Sequence, residues 1–237
     1  TDTVVAICAG YVAAGYGTLR IKLGTSPEVD RDVIAAVRRE VGDAVRIRID
    51  LNQAYDRAGA ARMLRLVEPH GIEAVEQPLA VDDLLGMVEL QRRTDVPLFL
   101  HEGAFDRRDV LTLVELGGCG VVGVNAERPG GFAAAVELVD VAAAHGLGAI
   151  AHNQPLGLGS AVLAHLAAAR ADRMGHAVEI AGDVMFDLTL VTAPLRRHGG
   201  SLSVPDGPGW GVEVDRDVLD DHLGAAPVTV TIDDLRR

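Results

Sequence analysis

Short apolar runs recur along this chain, and each ends on a polar side chain that could do chemistry. They read TLRIK to Lys22, RIRID to Asp50, IEAVE to Glu76, LFLHE to Glu102, VVGVN to Asn125, AIAH to His152 and HAVE to Glu179. Successive end residues lie 28, 26, 26, 23, 27 and 27 positions apart, each the length of one strand-plus-helix unit. The runs are rich in Val, Ile and Leu, as strands buried on both faces of a parallel sheet are.

Amphipathic helical stretches fill the gaps at 27–42, 56–71, 81–94, 106–118, 131–146 and 158–171. The first opens on Pro and acids and closes on Gly, the expected start and stop signals. Strand and helix alternate, so a parallel sheet with right-handed crossovers follows. Seven regular units predict a TIM-like α/β barrel. Its first strand would precede or overlap Thr1, because VVAICAGYVAAG reads as the first helix. The chain has 237 residues, and such barrels run to about 200–250 as one domain. We therefore expect a barrel over 1–203. The turn-rich VPDGPGWGVEVD (204–215) and the alternating PVTVTIDDL (227–235) predict a C-terminal extension over 204–237 packed outside it.

Composition removes several functions. The charge balance is 22 basic against 34 acidic residues, a net of −12, which disfavours nucleic acid and anionic membrane surfaces as partners. Aromatic residues make up 3%, too few for base-stacking platforms. Cys8 and Cys119 match no metal-ligand spacing and read as reduced, buried thiols of a cytoplasmic protein. The opening TDTVVAICAG has no basic n-region of a signal peptide. No run reaches the roughly 18 uninterrupted apolar residues of a membrane span. No Walker or GxGxxG pattern is present, although the glycines of 154–162 leave a phosphate site at a helix start open.

In a closed barrel, strand ends of one polarity meet at one mouth, where active sites sit. The spacing thus predicts three carboxylates, a lysine and a histidine around one cavity. Asp50, Glu76 and Glu102 end successive strands and offer the oxygen ligands that Mg²⁺ requires. Asn52, two residues beyond Asp50, falls on the same side of an extended segment and is expected to support ligand or substrate.

The chain resembles the barrel domain of the enolase superfamily, closest to its mandelate racemase and muconate lactonizing branch. The matching segments are RIKLG (20–24), RIRIDLNQAY (46–55), VEQPL (75–79), HEG (101–103), Gly130-Gly131 after VNAERP, AHNQPLG (151–157), HAVE (176–179) and VPDGPGWGVEVD (204–215). The resemblance implies a (β/α)7β barrel, Mg²⁺ on three acids and removal of the proton α to a carboxylate through an enediolate. It implies that Lys22, the second lysine of a Lys-x-Lys motif, is a base on one face of the substrate. Arg20 replaces the first lysine and would bind substrate carboxylate. On the opposite face, the resemblance sets Asn125 where muconate-type members carry lysine and mandelate-type members an aspartate that orients a histidine. His152 would be the base there, and an amide at 125 lacks the charge that stabilises an imidazolium. Glu179 matches the acid that hydrogen-bonds the enediolate. His101 could ligate, donate to substrate or pack.

The expected function is therefore a Mg²⁺-dependent enzyme acting on a small carboxylate, with dehydration of a hydroxy or sugar acid as the leading outcome. Racemisation and cycloisomerisation are the alternatives within the same chemistry. A degenerate, non-catalytic metal-binding barrel is the rival reading, and a Schiff-base aldolase through Lys22 is disfavoured by the surrounding acids. A homo-oligomer is expected. The resemblance implies an N-terminal capping domain that this chain is too short to include.

Overall fold

A computed structural model describes residues 1–153 and 156–222. Helices and strands alternate as α1 (Asp2–Ala13), β1 (Thr18–Lys22), α2 (Pro27–Val41), β2 (Arg46–Asp50), α3 (Arg57–Val67), β3 (Ile72–Glu76) and α4 (Leu84–Gln91). They continue as β4 (Leu98–Leu100), α5 (Arg107–Leu116), β5 (Val121–Val124), α6 (Phe132–Ala144), β6 (Gly148–Asn153) and α7 (Gly157–Ala169). Shorter elements follow: α8 (Ala171–Met174), β7 (Glu179–Ile180), α9 (Gly182–Met185), the hairpin strands β8 (Arg197–His198) and β9 (Ser201–Leu202), and α10 (Arg216–Asp221). No described helix is long and apolar enough to cross a membrane.

Strands β1 to β7 form one parallel sheet in sequence order. Their ends are aligned: Lys22 lies beside Asp50, Asp50 beside Glu76, and His152 beside Glu179. Backbone pairing alone therefore gathers the polar strand ends along one rim.

The sheet differs from the closed barrel expected from the repeat. Among the described residues it has seven parallel strands, with β1 and β7 at its two ends. The curl is nevertheless strong, because side chains span it. Arg48 on β2 donates to the Ala177 carbonyl (2.9 Å) and to Glu179 Oε1 (2.7 Å). Arg20 Nε on β1 lies 3.1 Å from Glu179 Oε2.

Two hydrophobic layers hold this curl. One small cluster takes a residue from each of β3 to β6: Ala74, Phe99, Val121 and Ile150. The larger joins the other strand faces, such as Ile47, Ile49 and Leu98, to helix residues such as Ile34, Met63, Leu113 and Leu138. The period-2 alternation of RIRID sends Ile47 and Ile49 to that larger core and leaves Arg48 and Asp50 for the other face. Cys8 and Cys119 are buried free thiols, and burial pushes Cys119 up to about 12.

The pairing of β2 with β3 slips by one residue, from Ile47 opposite Ile72 to Arg48 opposite Ala74. Glu73 is the extra residue, and such bulges re-aim a side chain. It accepts from Arg48 Nε (2.6 Å) and Arg46 (3.3 Å) and contacts His176 Nδ1 (3.1 Å). Burial alone would raise its carboxyl, but hydrogen bonds from His176 and Arg48 and their charges hold it at about 2, against an ordinary 4.5. A depressed folded value stabilises the fold above the ordinary value and withdraws that support as pH falls through it. Between pH 4.5 and 2, the parent is expected to lose on the order of 2–3 kcal/mol that a Glu73→Gln protein does not lose. Urea midpoints across that range would show it; parallel pH slopes for the two proteins would refute it.

The C-terminal segment, as far as it is described, contacts α6 and α7. Val214 pairs antiparallel with Val191. The Trp210 ring lies tilted at 5.0 Å from Phe132, and its carbonyl lies 3.2 Å from His165 Nε2. The strand expected at 227–235 lies outside the described residues.

Candidate active site

Lys22 ends β1, and the turn behind it is built to hold it still. Asp30, buried at the start of α2, accepts from the backbone N–H groups of Gly24 (2.7 Å) and Thr25 (3.2 Å) and from the Tyr55 hydroxyl (2.5 Å). Ser26 caps α2 and Pro27 begins it, a favourable start. Gly24 has φ +122, and a Cβ there would sit 2.6 Å from that of Ala54, so no other residue fits the turn. From this base Lys22 Nζ donates to Asp50 Oδ2 (2.7 Å) and Asn52 Oδ1 (2.6 Å). The Lys22 side chain is 55% exposed while Asp50 is fully buried, so the ammonium reaches the surface of the rim.

Asp50 and Glu76 are clamped by Arg20. Its NH2 group lies 2.5 Å from Asp50 Oδ2 and 2.9 Å from Glu76 Oε1, and its Nε lies 2.7 Å from Glu76 Oε2. Burial would raise the Glu76 carboxyl, but hydrogen bonds from His101 and Arg20, with the charges of His152 and Arg20, hold it at about 2. Arg20, expected to receive a substrate carboxylate, is thus engaged by protein carboxylates. Backbone strain collects here too: Asn52, Gln53 and Gln77 all have positive φ directly after the two acids. Such strain persists only where surrounding contacts enforce it. Main-chain bonds from Leu51 to Glu76 and from Gln53 to Gln77 do so.

Beyond β4 the chain turns, and His101 Nδ1 lies 3.7 Å from Glu102 Oε2. Glu102 accepts from Gln53 Nε2 at 3.2 Å. The His101 ring lies over the sheet, with Nδ1 3.5 Å from Glu76 Oε1. Its ring is perpendicular to that of His152 with centroids 4.0 Å apart. Burial pushes the His101 imidazole towards its neutral form, against a hydrogen bond to Glu76 that favours charge. Gly123 on β5 makes the space: a Cβ there would fall 2.9 Å from His101 Cδ2 and 2.8 Å from Phe99.

The partner of His152 is a correction to the sequence reading. Asn125 does not orient it; the buried Asn125 amide oxygen accepts from the Arg128 backbone N–H at 3.0 Å. His152 Nδ1 instead lies 2.6 Å from Glu179 Oε2, its register partner on β7. Burial would raise the Glu179 carboxyl, and His152, Arg20 and Arg48 lower it. Glu179, expected to serve the enediolate, is therefore the group that fixes the His152 ring.

Sequence reasoning passed over two residues. Arg128 donates to the His101 carbonyl at 2.6 Å and so fixes the turn that carries the ring. Arg48 ties Glu179 to Glu73. The alternation in RIRID places Arg48 on the face of Asp50, and that signal was available; nothing in the spacing marks Arg128.

The donor groups test the expected Mg²⁺ cage. Asp50 is taken up by Arg20, Lys22 and the Asn52 N–H (2.9 Å), and Glu102 by Gln53. Among the described residues, the donors lying within 4.8 Å of one another are Glu76, His101 and His152. One carboxylate and two imidazoles do not make the all-oxygen octahedron that Mg²⁺ prefers.

Residues 3–218 match the family model described as enolase C-terminal domain-like. The chain belongs to the enolase C-terminal domain-like family. N-succinylamino acid racemase of an Amycolatopsis species is 35% identical over 216 residues, covering 91% of this chain and 57% of that protein. Muconate cycloisomerase 1 of Acinetobacter baylyi is 26% identical over 207 residues, covering 86% of this chain and 56% of its own length. Among solved structures, N-succinyl Arg/Lys racemase from Bacillus cereus superposes with TM-score 0.84 at 26% identity, over 92% of this chain and 58% of that one. The chain thus spans rather more than half the length of the relatives it matches. Enolase-family relatives are enzymes, and racemase and cycloisomerase names back the isomerase alternative over the dehydratase reading.

Proposed function

We propose that this chain forms the catalytic part of an enolase-superfamily enzyme that moves the proton α to a carboxylate, acting as a racemase, epimerase or cycloisomerase. In this reading the curled sheet belongs to a (β/α)7β barrel, and a capping domain outside these residues encloses the substrate. The supporting observation is Lys22, held at the rim by Asp50 and Asn52 yet more than half exposed. An α-proton of a carboxylate is very weakly acidic, so its removal needs positive charge beside the developing dianion. Arg20 brings one such charge, Lys22 becomes a second once its neutral amine has accepted the α-proton, and a dication held at Glu76 would add to them. Lys22 would take the proton on its own face. Asn52 would keep the Lys22 stem in place, and Asp50 would fix Arg20.

A second reading rests on His152. Its Nδ1 is bound by Glu179 at 2.6 Å, a carboxylate–imidazole pair of the sort that makes a base. With His152 on the opposite face, the site would carry two bases and invert configuration.

Incubation in D₂O with single enantiomers of N-succinylamino acids and of dipeptides, followed by NMR, separates these outcomes. Exchange with inversion supports two bases, and exchange with retention supports Lys22 alone. No exchange on any α-carboxylate would remove the reading.

A further inference from the structure

The strand-end rim holds a donor set unlike the three acids that its spacing suggested. We propose that Glu76, His101 and His152 form a binding site for a nitrogen-accepting first-row dication, of the Mn²⁺, Co²⁺, Ni²⁺ or Zn²⁺ class, in place of the oxygen-only Mg²⁺ cage. This site stands whether or not Lys22 moves a proton, and it excludes the two-base reading, because both ring nitrogens of His152 are then engaged.

Three observations converge on it. First, one donor atom from each of these side chains lies within 4.8 Å of the others, close enough for one ion to draw them in. Second, His152 is prepared as a ligand. A metal-bound imidazole almost always gives its other ring nitrogen to a carboxylate, which fixes the tautomer. Glu179 takes Nδ1 at 2.6 Å, and Arg48 and Arg20 hold Glu179 in turn. His152 Nε2 is left 3.8 Å from Glu76 Oε1.

Third, His101 carries an unmet need. Its Nε2 is buried and has no hydrogen-bond partner. A buried polar atom left so is costly and calls for an explanation. The ring is placed deliberately, with Gly123 clearing its edge and Arg128 holding its carbonyl. Arg20 also donates to Glu76 Oε1 (2.9 Å) and Oε2 (2.7 Å), so an ion drawn onto Glu76 takes the place of one of these hydrogen bonds.

Two imidazoles with one carboxylate leave coordination positions open, and imidazole suits Zn, Ni, Cu and Fe while Mg²⁺ favours carboxylate and water. The expected behaviour is one ion per chain, strong discrimination against Mg²⁺, and a role for Glu179 as a positioning residue acting through His152.

The test is metal binding by the full chain, stripped with chelator and titrated with Zn²⁺, Co²⁺ and Mg²⁺. Calorimetry gives affinity and the Co²⁺ visible spectrum reports nitrogen ligation. Zn²⁺ and Co²⁺ are expected to bind one per chain and to resist a large excess of Mg²⁺. Glu179→Gln is expected to weaken Zn²⁺ by about 10–100-fold, the usual cost of losing an outer-shell partner. His101→Asp should weaken it at least as much and raise Mg²⁺ affinity, while Glu102→Gln leaves Zn²⁺ affinity unchanged. Circular dichroism checks folding, and the parent's metal preference decides the matter if a variant unfolds. The proposal is overturned by absence of binding, by equal competition from Mg²⁺ in the parent, or by a Glu102→Gln loss as large as that of His101→Asp.

Discussion

Replacing Lys22 by Met is expected to slow α-proton exchange by about 10²–10⁴-fold, the usual contribution of a general base. The variant isolates that contribution because Lys22 has few structural duties. Its Nζ touches only Asp50 and Asn52 among the hydrogen bonds described, and Met retains most of its stem. Asp50 keeps its contact with Arg20 at 2.5 Å, so no buried carboxylate is left unpaired. Lys22 is not among the donors near Glu76, so metal affinity should be unchanged. Deuterium incorporation, followed by NMR in parent and variant under matched metal, measures the effect. An unchanged exchange rate would take Lys22 out of the chemistry.

The largest expected stability effect belongs to Arg48. Its side chain is 1% exposed, and it binds Glu73, Glu179 and the Ala177 carbonyl across the curl of the sheet. Removing one member of a buried ion network leaves uncompensated charge, at a cost of about 3–5 kcal/mol. An Arg48→Leu protein should therefore unfold at markedly lower urea. Arg57 is the internal comparison. It pairs with Asp83 at the surface, where it is 52% exposed, so Arg57→Ala should cost no more than about 1 kcal/mol. Equal losses for the two variants would show that Arg48 gains nothing from its burial.

The spacing of strand ends carried the alternating architecture and the rim position of Lys22, Asp50, Glu76, His152 and Glu179. These follow from local pattern, because parallel register sets neighbouring strand ends side by side. Pairings across the sheet did not follow. Glu179 was read as facing substrate, whereas its register sets it beside His152 and the curl of β7 towards β1 and β2 adds Arg20 and Arg48. That curl depends on twist summed over seven strands, which no single run encodes. Asn125 was assigned to His152 on resemblance, while its short amide satisfies the next turn locally, as Asn side chains do. The adjacent pair His101 and Glu102 was ambiguous for a different reason. Strand β4 ends at Leu100, so period-2 alternation no longer decides which of the two turns inward.

Gly123 extends these contacts into descent. A methyl group at 123 would collide with both Phe99 and His101, so a ring at 101 and glycine at 123 can only be inherited together. Losing the ring at 101 removes one of these contacts, while Phe99 and the Cβ of residue 101 still crowd a side chain at 123. Position 123 is thus bound to 99 as well as to 101, and covariation across the three positions would record it.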